Sequence, residues 1–225
     1  VFFFVASHFN MDASKFERCH RFFTQGLLKD RGYSYPVKRF YTRPDLFQQY
    51  YDTKKNLSSA TDSFRIEGTF GKKLATGPRT GQRRKFLVHF LPGTSNTTFG
   101  KRPALALQKY MTDNDIDRLF LVTPVAVTNH ALKQLCEVAD VEIWPMLDCL
   151  MQSEGHYTVP ACRKVPAKER REFYAKHKIS SSNLPRMLMG KRVARYWGFS
   201  PGDLIEIERR THAGLVKEFR VVVNG

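Results

Sequence analysis

No stretch of this 225-residue chain approaches the roughly 20 apolar residues that a membrane-spanning helix needs, so a membrane partner is not expected. Cysteine is scarce. Cys19, Cys136, Cys149 and Cys162 stand far apart with no C-x-x-C pair, which signals neither a zinc site nor a disulfide framework; buried or inert thiols in a reducing compartment are expected. The histidines supply no H-x-x-x-H or H-E-x-x-H pair, so no metal is called for. Phosphate loops of the G-x-x-x-x-G-K and G-x-G-x-x-G types are missing too, and with them the sequence reasons for a cofactor or a small-molecule substrate. Acidic residues are in short supply. Lys and Arg number 37 against 21 Asp and Glu, a formal net charge of +16 with pI near 9.9. That excess predicts an acidic partner, nucleic acid before anionic membrane.

Catalysis finds little support. Asp45, Asp52 and Lys54 match a carboxylate, carboxylate, lysine nuclease pattern, but such acids normally sit on adjacent strands, and here both fall on one predicted helix. Capping by Asp45 and a surface pair of Asp52 with Lys54 are the plainer roles. Phe86, Phe90, Phe120 and Trp144 fall in predicted strands, where core packing is favoured over base stacking.

What is present reads as strands alternating with helices. Phe16, Cys19, Phe22, Phe23 and Leu27 recur at three- and four-residue steps, a helix that Gly32 should end, with Tyr33 packing back. A second helix starts at Pro44, with Leu46, Phe47 and Tyr50 on one face. Strands are expected over 86–90, 119–122 and 141–144, and helices over 103–111 and 128–138, a small α/β layer domain. Lys72, Lys73, Arg79, Arg83, Arg84, Lys85, Lys101 and Arg102 occur with no acidic residue among them. A solvated surface is the ordinary reading of such a run. Thr128-Asn129 has the form of a helix cap whose free amides suit a phosphate oxygen.

Further on, 167–176 reads as a helix with Pro166 before it and a basic end, its Phe173 and Tyr174 facing a core. Residues 191–197 form a short helix stopped by Gly198. Pro201-Gly202 fits the centre of a type II turn leading into Leu204-Ile205-Glu206-Ile207, and 216–223 pairs with that strand across a loop containing Ala213-Gly214.

The same residues carry a resemblance. His156, Val159 and Pro160, then Asn183-Leu184-Pro185-Arg186, then Val193-Ala194-Arg195-Tyr196-Trp197-Gly198, then Pro201 through Ile207, Ala213-Gly214 and Phe219 through Val222 resemble, in order and spacing, the assembly domain of one family. It is the fifth-largest subunit shared by eukaryotic nuclear RNA polymerases, which has an archaeal homologue. Asp30-Arg31-Gly32-Tyr33 is the clearest marker in the N-terminal region, where the likeness thins. Two departures add positive charge: Lys191-Arg192 where relatives usually have Asp-Pro, and Arg210-Thr211-His212 where they have Ser-Glu-Thr. They point to a divergent or polymerase-specific copy.

The resemblance implies an α/β chain, α+β overall: an N-terminal small α/β jaw domain over 11–152 and a C-terminal small mixed-sheet assembly domain flanked by helices over 153–225. Residues 1–10 would be an extension, with Met11 as the initiator. It implies a non-catalytic subunit of a DNA-directed RNA polymerase, nuclear, and nucleolar if dedicated to the ribosomal RNA enzyme. Its partners would be the largest subunit, other polymerase subunits and downstream duplex DNA. The basic set from Lys72 to Arg102, with Thr128 and Asn129, becomes the DNA-contact candidate. Arg186, Lys191, Arg192, Arg195, Arg209, Arg210 and His212 become the docking candidates. Two alternatives stay open: the same subunit of a large DNA virus, and a free-standing basic nucleic-acid-binding module.

Overall fold

The computed structural model describes residues 13–38, 44–54, 64–72, 82–91, 98–150, 159–212 and 214–224. Residues 1–12 with Met11, together with Lys73, Arg79, His156 and Ala213, lie outside them. The chain divides into two compact units, Val1–Met151 and Gln152–Gly225. The class is α+β, with a separate sheet in each unit.

The N-terminal unit is built on a four-stranded sheet in sequence order. Strand β1 (Ile66–Phe70) runs antiparallel to β2 (Arg84–Phe90), which is parallel to β3 (Ile116–Thr123), itself parallel to β4 (Asp140–Pro145). Parallel neighbours need helical crossovers. The first helix, α1 (Ala13–Arg21), runs through a π-helical stretch (Phe22–Leu27) into the short α2 (Leu28–Asp30); then come α3 (Pro44–Lys54), α4 (Lys101–Asp113) between β2 and β3, α5 (Asn129–Cys136) between β3 and β4, and α6 (Met146–Leu150).

Period-two alternation gives each face of the sheet its own core. Leu87, Leu119 and Leu121 pack against Leu107 and Met111 of α4 and Ala131 and Leu135 of α5. Phe86, Phe90, Phe120 and Trp144 point the other way and are fully buried. There Phe90 meets Phe16 edge-on at 5.1 Å, Phe120 meets Phe23 at 5.9 Å and Trp144 meets Phe22 at 5.3 Å. The π-helical stretch has a packing reason. Its wider turn lets the consecutive pairs Phe22-Phe23 and Leu27-Leu28 all reach the core, which a regular α-helical step would not. Gly32 ends the segment at φ 70°, and Tyr33 folds back onto Phe70 at 5.0 Å. On α3 the deeply buried residues are Phe47 and Tyr51, whereas Leu46 and the expected Tyr50 are half-buried.

The C-terminal unit has sheet order β5 (Ala161–Lys164), β7 (Leu204–Thr211), β8 (Gly214–Val223), β6 (Arg186–Leu188), antiparallel except where β6 runs parallel to β8. Two helices cover it, α7 (Ala167–His177) and α8 (Arg192–Trp197). Leu204, Val221 and Val165 pack with Phe173 and Tyr174 of α7. Ile205, Ile207 and Val222 pack with Ala194 and Trp197 of α8. Gly198 caps α8 at φ 66°, with the Phe199 amide donating to the Ala194 carbonyl at 3.0 Å. The turn into β7 takes the expected form, with Gly202 at φ 86° and the Asp203 amide donating to the Ser200 carbonyl at 3.0 Å. Asp203 also accepts from the Ser200 amide at 2.8 Å and pairs with Lys164 at 2.8 Å, which locks the turn to β5.

Candidate functional site

Among the described residues, the basic candidates of the N-terminal unit do not form one cluster. Lys72, Arg83, Arg84 and Lys85 lie where β2 begins, whereas Lys101 and Arg102 open α4 beyond the end of β2. The strand that runs from the first group toward the second, Arg84 to Phe90, is about 20 Å long at roughly 3.3 Å per residue.

At the β2 start the cations are partly spent. Lys85 Nζ donates to the Asn114 carbonyl at 2.9 Å, and the Lys85 amide donates to Asp117 at 2.8 Å. Arg84 is exposed at the mouth of a 350 Å³ recess shared with Phe70, Arg118, Asp117 and Asp140, so two carboxylates dilute its field. Arg118 donates to the Tyr33 hydroxyl at 2.7 Å and to Asp140 at 2.6 Å. Arg31, its side chain only 4% exposed, grips Glu142 of β4 through two bonds of 2.9 Å. Asp30-Arg31-Gly32-Tyr33 is thus a structural staple between the first helix and β4.

The opposite end is assembled differently. The Phe99 amide donates to the Ala126 carbonyl at 3.0 Å, the Thr128 amide donates to the Phe99 carbonyl at 3.1 Å, and the Thr128 hydroxyl donates to the same carbonyl at 3.2 Å. This bridge sets the first turns of α4 and α5 side by side, at the carboxyl ends of β2 and β3. Thr128 is the N-cap of α5, accepting from the Ala131 amide at 3.3 Å. Gly100 caps α4 with no side chain. Neither first turn carries an acid, and Lys101, Arg102, Asn129 and His130 are exposed there. Two cations at the positive end of a helix dipole are destabilising until an anion meets them.

In the C-terminal unit the docking candidates fall into two groups. Arg186 begins β6, Lys191 is the N-cap of α8 with no side-chain cap bond, and Arg192 and Arg195 lie half-buried on that helix. Arg209, Arg210 and His212 are exposed at the β7–β8 turn, with Arg209 held by Glu218 at 3.2 Å. Sequence reasoning missed Glu206. It lies in an apolar-looking strand signal, yet its carboxylate is 4% exposed and accepts from Lys217 at 2.6 Å and from Arg163. The Lys217 bond first, then Arg163, holds it below the ordinary carboxylate range.

Asp45 and Asp52 both lie on α3, and Gln48 donates to Asp52 at 2.9 Å. Among the described residues no three of His, Cys, Asp and Glu come together in a metal-binding group. Cys19 and Cys149 are buried, Cys162 is half-buried and Cys136 is exposed; burial and then Asp140 push the Cys136 thiol upward in pKa.

Residues 151–222 match the family described as RNA polymerase Rpb5, C-terminal domain. The DNA-directed RNA polymerase subunit Rpo5 of Pyrococcus horikoshii is 36% identical over 69 residues, 30% of this chain and 84% of the archaeal protein. The chain belongs to the Rpb5 family. The match extends in lower identity into the N-terminal unit. The DNA-directed RNA polymerases I, II, and III subunit RPABC1 of Caenorhabditis briggsae is 27% identical over 132 residues, 57% of this chain. The DNA-directed RNA polymerases IV and V subunit 5B of Arabidopsis thaliana is 24% identical over 195 residues, 84% of this chain and 83% of that protein. The nematode matches span less than two thirds of those relatives, 63% for Caenorhabditis briggsae and 61% for Caenorhabditis elegans. Within the Rpb5 domain, one charge-adding departure opens α8, with Lys191 exposed and Arg192 half-buried, and the other, Arg210-Thr211-His212, is exposed from the end of β7 into the turn after it.

Proposed function

We propose that this chain is a non-catalytic subunit of a nuclear DNA-directed RNA polymerase. The C-terminal unit docks on the largest subunit through the faces carrying Arg186, Lys191, Arg192, Arg195, Arg209, Arg210 and His212. The N-terminal unit steadies downstream duplex DNA by phosphate contact, which holds DNA without reading its sequence. The observation that carries the reading is the coincidence of the Rpb5 domain match, residues 151–222, with the compact C-terminal unit. For DNA, support comes from the paired first turns of α4 and α5, where Lys101 and Arg102 stand against the helix dipole with Thr128 and Asn129 beside them. Of the other group, Lys72, Arg83 and Arg84 remain available, and Lys85 is tied to Asn114. Lys73 and Arg79 belong to the proposed set from sequence alone.

The test is recovery of the tagged full chain from nuclei of its source, followed by mass spectrometry. Large polymerase subunits in stoichiometric amount are the expected result. A chain recovered with nucleic acid but without those subunits would instead support the free-standing basic module and reject the subunit reading.

A further inference from the structure

The sheet of the C-terminal unit has an edge that its own described strands leave open. Strand β5 pairs with β7 from Lys164↔Ile205 to Ala161↔Glu208 and stops there, whereas β7 continues against β8 to Thr211↔Gly214. Past Ala161, on the side of β7 that faces β5, the Arg210 amide and carbonyl meet no described strand, whereas Arg209 and Thr211 turn theirs toward Val216 and Gly214 of β8.

A groove of 780 Å³ lies at this place, lined by Val159, Pro160, Ala161, Glu208, Arg210 and Leu215 among others. Its chemistry has two parts. Leu215 is 69% exposed, a large apolar side chain left to solvent beside an open strand edge. Register sets it opposite Arg210 on the same face of the hairpin. Arg210 is exposed, and among the described residues no carboxylate pairs with it. Its neighbours are matched: Arg209 by Glu218 at 3.2 Å and Glu208 by Lys217 at 3.4 Å. The surplus charge of the groove is therefore one guanidinium.

We propose that this edge receives an extended acidic segment of a partner polypeptide as an added strand. Backbone bonds to the Arg210 amide and carbonyl would supply the pairing, the Arg210 guanidinium would take a carboxylate, and Leu215 would cover an aliphatic side chain two positions away. The inference rests on the docking role given above and specifies how that unit would hold a partner.

The probe is a fluorescein-labelled peptide of alternating Glu and Val, titrated against the full chain by fluorescence anisotropy. Two comparison peptides carry alternating Lys and Val, or Glu and Val with every second backbone amide methylated. Binding of the Glu-Val peptide alone is expected, with the Arg210 amide gaining protection from hydrogen exchange. Arg210→Glu should weaken it about tenfold and admit the Lys-Val peptide, the signature of a charge pair that sets specificity. Folding of the variant is checked by circular dichroism. Failure of the Glu-Val peptide to bind, equal binding of the methylated peptide, or indifference to Arg210→Glu overturns the proposal. So does protection of the Arg210 amide in the free chain, which would mean that the chain covers its own edge. Recovery of polymerase subunits by the tagged wild type is scored separately. If the wild type recovers the enzyme and the peptide does not bind, strand addition is wrong and the subunit reading stands; if the wild type recovers no polymerase, the subunit reading falls.

Discussion

Gly68 shows how little room a single residue can have. A Cβ built there would meet the Ser34 carbonyl oxygen at 2.2 Å, with Phe86 and the Tyr35 Cβ each at 2.8 Å. The contact is forced by the pairing of Ser34 with Thr69, whose amide and carbonyl exchange bonds of 2.9 and 2.7 Å. Gly68→Ala must push the 34–35 segment off β1, and a loss of about 1–3 kcal/mol is expected in urea unfolding, the usual cost of overpacking. His89 makes a different demand. It is buried, its Nδ1 accepts from Arg65 at 3.1 Å, and burial first and Arg65 second lower its pKa to about 3. The unfolded chain takes up this proton near pH 6.5, the folded chain only near 3, so stability rises with pH across that window and falls as acid is added through it. His20, among Phe16, Phe47 and Phe90, is lowered to about 3 likewise and acts in the same direction. His89→Leu should flatten the decline of thermal midpoint between about pH 6.5 and 3, whatever it does to stability at neutral pH. An unchanged slope would show that His89 does not stay neutral on folding.

Among the elements, α8 carries a cost that its sequence makes visible. Its N-cap is Lys191, with extended backbone and no side-chain bond to the helix amides, and no acid stands in its first turn. An aspartate there would accept an amide hydrogen and favour the dipole. Lys191→Asp should therefore stabilise the C-terminal unit by about 1 kcal/mol. If Lys191 serves docking, the same variant should enter the polymerase less well, and a rise in thermal midpoint together with lower recovery of the large subunits would separate the two roles. Elements with strong local signals were legible: the periodic first helix, the Gly198 cap, the Pro201-Gly202 turn and the three parallel strands. Strands β1, β5 and β6 were not. Each is short or interrupted in pattern, and each is defined by the neighbour that pairs with it, Ile66–Phe70 by β2, Ala161–Lys164 by β7, Arg186–Leu188 by β8. Glu206 escaped for a related reason, because its cations Arg163 and Lys217 arrive from two other strands. Sequence also could not divide the basic run, since residues close along the chain become distant once the length of a strand, Phe86 to Phe90, lies between them.

For the whole molecule, that division changes how a DNA contact should be tested. A chain of net charge +16 attracts DNA from any side, so weakened binding alone does not locate a contact. The two ends of the N-terminal sheet offer an internal comparison. At one end, Arg84 shares a recess with Asp117 and Asp140, and Lys72 and Arg83 are exposed. At the other, Lys101 and Arg102 have no acid in either adjoining first turn, and helix amides add to their field. Removing one cation–phosphate pair should reduce the slope of log affinity against log salt by about 0.9. Lys101→Gln with Arg102→Gln, in the assembled polymerase, should lower that slope by about 2 on a long downstream duplex and leave it unchanged on a scaffold too short to reach the N-terminal unit. The loss should not depend on sequence, because phosphates carry no base identity. Arg83→Gln with Arg84→Gln should have the smaller effect, since Arg84 already faces two carboxylates. Equal slopes for wild type and both pairs would mean that these cations are solvated surface, while the reverse order would place the duplex at the β2 start, with Lys72 and the residues beyond it.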